Sequence, residues 1–349
     1  MKRTEQTVSG QALLGEDLTF EPVDIIIEDG IITAIEENPA APPALICPAL
    51  FNAHTHLGDT LAMDCGATGD LVSLVTPPDG LKHRLLAAAT DAELVAGMRA
   101  SLEGMARSGT AGCADFREGG INGVHALRKA ARNLAVTPLV FGREGGESIA
   151  EGLGISSVRD VADAERQVRE ARLAGKLVAF HAGERDPDDV DAALAFDPDL
   201  IIHATHATKK QLRFCADHEI PIVVCPRSNW ILGVAKNTGH PPLRRMQECG
   251  CRILLGTDNV MFVPPDLFSE MAFVSTLYGL EPREIIRSAV AGSRLGGNPY
   301  FIRAGAPANL FCVSFLGSAL QFSRDPLATL VKRANFAKIG KNVFNSKLK

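Results

Sequence analysis

No C-x-x-C pair occurs among the eight cysteines of this 349-residue chain. Cys47, Cys65, Cys113, Cys215, Cys225, Cys249, Cys251 and Cys312 are scattered through apolar segments. There a free thiol behaves as a small buried hydrophobe. Only Cys249 and Cys251 lie close together, and no second pair stands near them, which argues against a structural zinc. A basic excess is missing too: the net charge is −5, the pI is near 6.0, and acids and bases are interspersed. A nucleic-acid partner calls for a basic face, so none is expected. No apolar run reaches the roughly 18 residues of a membrane helix, so no membrane partner is expected either. The basic start "MKRTEQTVSG" lacks the apolar core of a secretory signal. Internal repeats and low-complexity tracts are also absent. With 46% hydrophobic residues and a mean hydropathy of +0.07, the chain reads as a large-cored globular protein, expected in the cytoplasm.

What is present begins with β-structure. "VDIIIEDGIITAIEE" (23–37) sets two β-branched runs around Asp29-Gly30, a strong hairpin signal. "PAAPPA" (39–44) follows as a stiff linker. From residue 45 onward, short apolar runs alternate with helix-like stretches. Strands are expected at 45–53, 110–116, 136–142, 151–156, 177–182, 200–204, 220–225 and 252–257. Helices are expected at 91–109, 157–175, 208–219 and 242–250. This alternation predicts an α/β fold, a (β/α)₈ TIM barrel, with an open doubly wound sheet as the competitor. Past residue 303, "PANLFCVSF" and "NFAKIGKNVFN" turn β-like again. The expected division is a barrel over 47–302 and a small β-sandwich-like domain built from 1–46 and 303–349.

In a barrel, functional groups come from the C-terminal ends of the strands. The first expected strand ends in His54 and His56, the fifth in "FHAGE" with His181 and Glu184. The sixth ends in "IIHATH" with His203 and His206, the eighth in "LLGTDN" with Asp258. Five of the nine histidines fall at these ends. Residues i and i+2 of a strand face the same way, so His54 and His56 can chelate one ion. His181 and Asp258 can join them. Three imidazoles and a carboxylate suit one divalent ion, Zn²⁺ first and Fe²⁺ second, with a position open for water.

The ordered set "NAHTHLGD", "FHAGE", "IIHATH", "CPRSNWILG" and "GTDN" resembles the amidohydrolase superfamily. The likeness is to its mononuclear branch, with cytosine, guanine and S-adenosylhomocysteine deaminases and triazine chlorohydrolases. It covers most of the chain. It implies metal ligands His54, His56, His181 and Asp258, with catalytic roles for Glu184, His203 and Asp258. Dinuclear members use a strand-4 lysine, and no lysine lies between Lys129 and Lys176, so one ion is expected. The implied reaction is attack of metal-bound hydroxide on a C–NH₂ carbon of a heterocyclic or amidine-like molecule, releasing ammonia. Glu184 would serve as general acid/base. Amide or C–Cl hydrolysis is the alternative, and a non-catalytic barrel scaffold a remote one. Nucleoside deaminases of this kind often carry histidines where this chain has Ile155-Ser156 and Cys225-Pro226, which argues against adenosine-type substrates.

Arginines recur at the strand ends: Arg117, Arg143, Arg185 and Arg227. A guanidinium fork recognises carboxylate or phosphate, so Arg117, Arg143 and Arg227 are candidates for an acidic part of the substrate, against local pairing with neighbouring acids. Ser228, Asn229 and His206 are further candidate contacts, while Trp230 is expected to serve packing. The long stretch after the first strand, 61–87, is expected to cover the mouth as a loop. Lys82 and His83 within it are expected to be solvated. A homodimer is compatible with this fold.

Overall fold

A computed structural model of the chain describes residues 5–65, 69–77 and 79–344. The outermost parts of the expected β-domain, 1–4 and 345–349, lie outside the described residues. The chain opens with β1 (Glu5–Leu14), β2 (Thr19–Glu28), β3 (Ile31–Glu37) and β4 (Ala44–Pro48). The hairpin expected around Asp29-Gly30 joins β2 to β3, with Glu28 opposite Ile31. Asp29 (φ 49°) and Gly30 (φ 84°) both take the left-handed backbone that a tight two-residue hairpin turn needs.

Nine strands follow: β5 (Leu50–His56), β6 (Thr110–Arg117), β7 (Thr137–Gly142), β8 (Gly152–Ile155), β9 (Leu177–Ala182), β10 (Leu200–His203), β11 (Ile222–Val224), β12 (Ile253–Leu255) and β13 (Asp258–Asn259). The last two strands are β14 (Leu310–Ser314) and β15 (Ile339–Val343). They join the opening strands in a six-stranded sheet ordered β15-β14-β4-β1-β2-β3. Its apolar face buries Val8, Ala12, Ile25, Ile32, Ile46 and Leu310 together. Both ends of the chain therefore build one small sheet.

The other sheet has nine parallel strands in the order β12-β11-β10-β9-β8-β7-β6-β5-β13. Its two outermost strands are halves of one short segment. Gly256 N donates to Val224 O on one side, and Thr257 N donates to His54 O on the other, each at 3.0 Å. The sheet thus curls until both edges meet on residues 253–259. Every residue of β5 and β6 is buried. Parallel strands covered on both faces read as continuous apolar runs, which is how these runs read in the sequence.

Two expectations need correction. The helix expected over 157–175 spans only Ala164–Leu173. Ser157, the expected cap, instead donates through Oγ to Asp189 Oδ1 at 2.7 Å, and residues 158–160 form a turn before the helix begins. The stretch after β5 is not a simple loop: helices run over Leu71–Val75 and Leu81–Ala88, the first started by a reciprocal Asp70–Ser73 capping box. Among the described residues, no helix is long and apolar enough to cross a membrane.

Candidate active site

The end of β5 is fixed from both flanks. Asn52 Nδ2 donates to Thr257 Oγ1 at 2.8 Å, and Thr257 N donates back to Asn52 Oδ1 at 3.1 Å. Thr55 Oγ1 and Leu57 N both donate to Asp115 Oδ2 of β6. With Thr55 turned toward its neighbour strand, the alternation of side chains sends His54 and His56 inward. There their rings meet edge to face, with centroids 4.9 Å apart, and the His181 ring lies 4.8 Å from His54. Phe116 stacks on Phe141 as an apolar floor and touches His54 and His181.

Asp258 closes the cluster. Its Oδ1 lies 3.2 Å from His54 Nε2 and 3.5 Å from His56 Nε2, while its Oδ2 accepts from Ser228 Oγ at 2.6 Å. Two ligand sets emerge: His54, His56 and His181, and His54, His203 and Asp258, each with donor atoms within 4.8 Å of one another. Neighbouring ligands on a tetrahedral zinc, each about 2.0–2.1 Å from the ion, stand roughly 3.3 Å apart. The Asp258 spacings match that geometry.

The tautomers fit as well. Nδ1 of His56 lies 3.0 Å from Phe116 O, and Nδ1 of His181 lies 2.9 Å from Ile155 O. A carbonyl only accepts, so each Nδ1 carries the proton and each Nε2 keeps a free lone pair. Burial drives His54 down to about 4 and His56 to about 3, and pushes His181 well below its usual value. All three are therefore neutral near pH 7. Burial alone would raise Asp258, but the hydrogen bond and the field of His54, with His203 and His56, hold it well below the usual range. Three neutral imidazoles and one carboxylate form a donor set that fits a divalent cation.

Glu184 and His203 stand beside this cluster. His203 Nε2 lies 3.6 Å from Glu184 Oε1. Asn229 links them, its Nδ2 3.5 Å from Glu184 Oε1 and 3.4 Å from His203 Nδ1, and its Oδ1 accepts from Thr205 Oγ1. Burial raises the Glu184 carboxyl, with His203 opposing the rise. His203 (φ 77°) and Asp258 (φ 66°) both sit in left-handed backbone, a strain of order 1–3 kcal/mol each that tends to gather at functional sites.

Other expected contacts lie elsewhere. Arg117 follows Phe116, so alternation turns it away from the cavity. It pairs with Asp115 Oδ1 at 3.3 Å and Glu118 Oε2 at 2.5 Å, and touches Met98. Arg227 is bound to Glu270 and to the carbonyls of Pro264 and Asp266. Arg185 does border the cavity, but there it is paired through two hydrogen bonds to Asp160. Ser228 and Asn229 hold Asp258, Glu184 and His203 as described above. His206 lies tilted against His240, ring centroids 4.8 Å apart, in an adjoining groove rather than in the cluster. Trp230 packs, donating from Nε1 to the Tyr278 hydroxyl. Of the three arginine candidates, only Arg143 lines the cavity with His181, Glu184 and Asp258.

The sequence reading missed a second cluster. Lys82 is 3% exposed, not solvated. Its Nζ lies 2.8 Å from Glu118 Oε1, 3.3 Å from Asp59 Oδ2 and 3.2 Å from Asn259 Oδ1. Glu118 Oε1 in turn lies 2.8 Å from His56 Nδ1. Lysine is a residue type that is almost always exposed, and the Gly/Pro-punctuated stretch around it carries no helical period.

Comparison with known proteins gives consistent matches. The family model described as adenosine deaminase matches residues 152–296. A protein of Methanothermobacter thermautotrophicus assigned as an aminohydrolase is 32% identical, over 97% of each chain. A 5-methylthioadenosine/S-adenosylhomocysteine deaminase of Halobacterium salinarum is 27% identical, over 88% of this chain and 84% of that one. Among solved structures, an adenosine deaminase from Xanthomonas campestris with bound zinc superposes with a TM-score of 0.75 at 17% identity, over 97% of this chain and 91% of the other.

Proposed function

The chain belongs to the amidohydrolase superfamily, among its aminohydrolases, and from that premise we propose that it hydrolyses a C–NH₂ group of a heterocyclic or amidine-like small molecule, releasing ammonia. It is a hydrolase of C–N bonds other than peptide bonds. We read the curled sheet as a closed (β/α)₈ barrel over 47–302, flanked by the β-domain of 1–46 and 303–349. Eight unpaired thiols support a reducing, cytoplasmic setting.

The observation that carries the reading is the pairing of a metal-fitting donor set with a half-buried Glu184 whose carboxyl is raised by burial. His54, His56, His181 and Asp258 would hold one divalent ion, Zn²⁺ before Fe²⁺. When bound, such an ion lowers the pKa of water toward about 7. Asp258 Oδ2 is anchored by Ser228, which leaves Oδ1 facing His54 and His56, where it would orient the attacking water and take its proton. Glu184, raised by burial, can protonate a ring nitrogen beside the C–NH₂ carbon and then pass a proton to the leaving nitrogen. With Asn229 Nδ2 donating to its Nδ1, His203 carries its proton on Nε2 and can donate to the oxygen that attacks. A C–O bond forms, the C–N bond breaks, and the nitrogen leaves as ammonia.

The test is a screen of purified, metal-replete protein for ammonia release from pterins, purines, pyrimidines and guanidino acids. Release is expected from one class and is expected to be lost in Asp258→Asn. Turnover that yields chloride or a carboxylate with no ammonia would replace this reading by chlorohydrolase or amidase action.

A further inference from the structure

Arg143 differs from its fellow strand-end arginines. Its Nε and Nη2 are enclosed in the protein and, among the described residues, donate to nothing. The acids nearby are engaged elsewhere. Glu144 Oε2 accepts from Gly119 N, Glu147 Oε2 from Gly145 N, and Asp160 is held by Arg185. Lys82, which also lines the cavity, already has Glu118 and Asp59. A guanidinium is always charged, and leaving its donors buried without acceptors is costly. The fold has supplied acceptors for Arg117, Arg185 and Arg227 and none for these two atoms.

The identity of the free atoms matters. Nε–H and Nη2–H lie along one edge of the planar guanidinium and point in parallel. That edge matches the two oxygens of a carboxylate in a fork. The chain already forms guanidinium–carboxylate forks through the other, Nη1/Nη2 edge at Arg185 with Asp160 and at Arg159 with Asp186. Arg143 faces the cavity that holds His181, Glu184 and Asp258. We propose that Arg143 binds a carboxylate carried by the substrate, so that the substrates of this enzyme are amino-bearing heterocycles or amidines with an acid group. The proposal rests on the assignment of the cavity as the substrate site.

Benzoate and benzamide are matched probes, equal in shape and different in charge. Titration calorimetry of the metal-replete protein, at one ionic strength, is expected to show benzoate binding about tenfold or more tightly than benzamide, since charge-assisted forks are the stronger hydrogen bonds. Arg143→Met is expected to abolish that preference. Arg143→Lys, which keeps the charge and loses the fork, is expected to retain only part of it. Benzoate binding no better than benzamide on the unaltered protein overturns the proposal, whether both bind or neither does. That comparison needs no variant, so misfolding does not enter. A benzoate preference that survives Arg143→Met also overturns it, because the metal or another cation is then the anchor. Inorganic phosphate binding more tightly than benzoate overturns the carboxylate assignment. The ammonia screen is separate: Arg143-dependent benzoate binding without ammonia release keeps this proposal and removes the deaminase reading, and the converse result does the reverse.

Discussion

Two buried polar clusters meet at His56 and are built in opposite ways. On the inner side, His54 is shared by two groups of closely spaced ligand atoms, one with His56 and His181 and one with His203 and Asp258, and His54 Nδ1 has no hydrogen-bond partner among the described residues. On the other side, Lys82 and Arg117 are set among Asp59, Asp115 and Glu118 at ion-pair distances of 2.5–3.3 Å. The first cluster leaves its desolvation to be compensated by something it binds. The second sets its charges against one another, though only in part: Asp59 Oδ2 and Glu118 Oε1 meet Lys82 or His56 as ion pairs, and neither they nor Asp59 Oδ1 have a well-formed hydrogen bond among the described residues. Buried charge that is internally matched makes a stiff support, and buried donors left open make a site. Glu118 joins the two, because one of its oxygens faces both Lys82 and His56 Nδ1.

The sharpest way to break this contrast is Lys82→Met. It leaves Asp59 without its paired cation and Glu118 with the Arg117 cation alone, and removing one partner of a buried pair costs about 3–5 kcal/mol. Loosening Glu118 from His56 should also weaken metal binding by about 10–100-fold. Denaturant unfolding of the metal-stripped protein and competition with a chelator measure the two effects. A variant as stable and as tight-binding as the unaltered chain would mean the clusters are independent. Next in size is Gly256→Ala. A Cβ there would stand 2.7 Å from His54 Cβ and 2.8 Å from His54 N. Overpacking of this sort costs about 1–3 kcal/mol, and here it should displace a proposed ligand as well, so both unfolding and metal affinity should move. If only stability changes, His54 is not positioned by that contact.

The smallest expected effect is one of pH. Burial raises Asp59 to about 7, with Lys82 opposing. The folded chain then holds a proton there that the unfolded chain releases near the ordinary value of 3.8. Between those two values the folded state binds more protons, so stability falls as pH rises, and above about 7 the full penalty applies. Asp59→Asn should flatten that decline. Thermal unfolding of metal-stripped protein at pH 5 and pH 8 reads the difference. Equal pH dependence in both proteins would show that Asp59 is already ionised in the fold.

The inner cluster was largely legible in the sequence because each member sits at the end of an apolar run, where alternation and strand position decide its direction. The supporting cluster was not. Lys82 carries no local signal of burial, and its partners come from other segments. Arg117 could have been placed correctly, since alternation from His54 and His56 through the paired strand puts Phe116 inward and Arg117 outward. The pairing of Arg227 with Glu270, 43 positions away, has no trace in either local segment. The hairpin at Asp29-Gly30 was legible for the opposite reason: all of its determinants lie within one turn. The shortened helix at Ala164–Leu173 was misjudged because Ser157 had a distant partner in Asp189.

The meeting of both sheet edges on residues 253–259 has a consequence for the order of events in folding. His54 and Asp258 are 204 positions apart, so bringing them together closes a very long stretch of chain. Contacts between such distant residues form late, after the entropy of closing the chain has been overcome. A nascent or partly folded chain therefore offers at most fragments of the donor set. Metal capture would report that the ring has closed, and the ion would stabilise only the finished molecule.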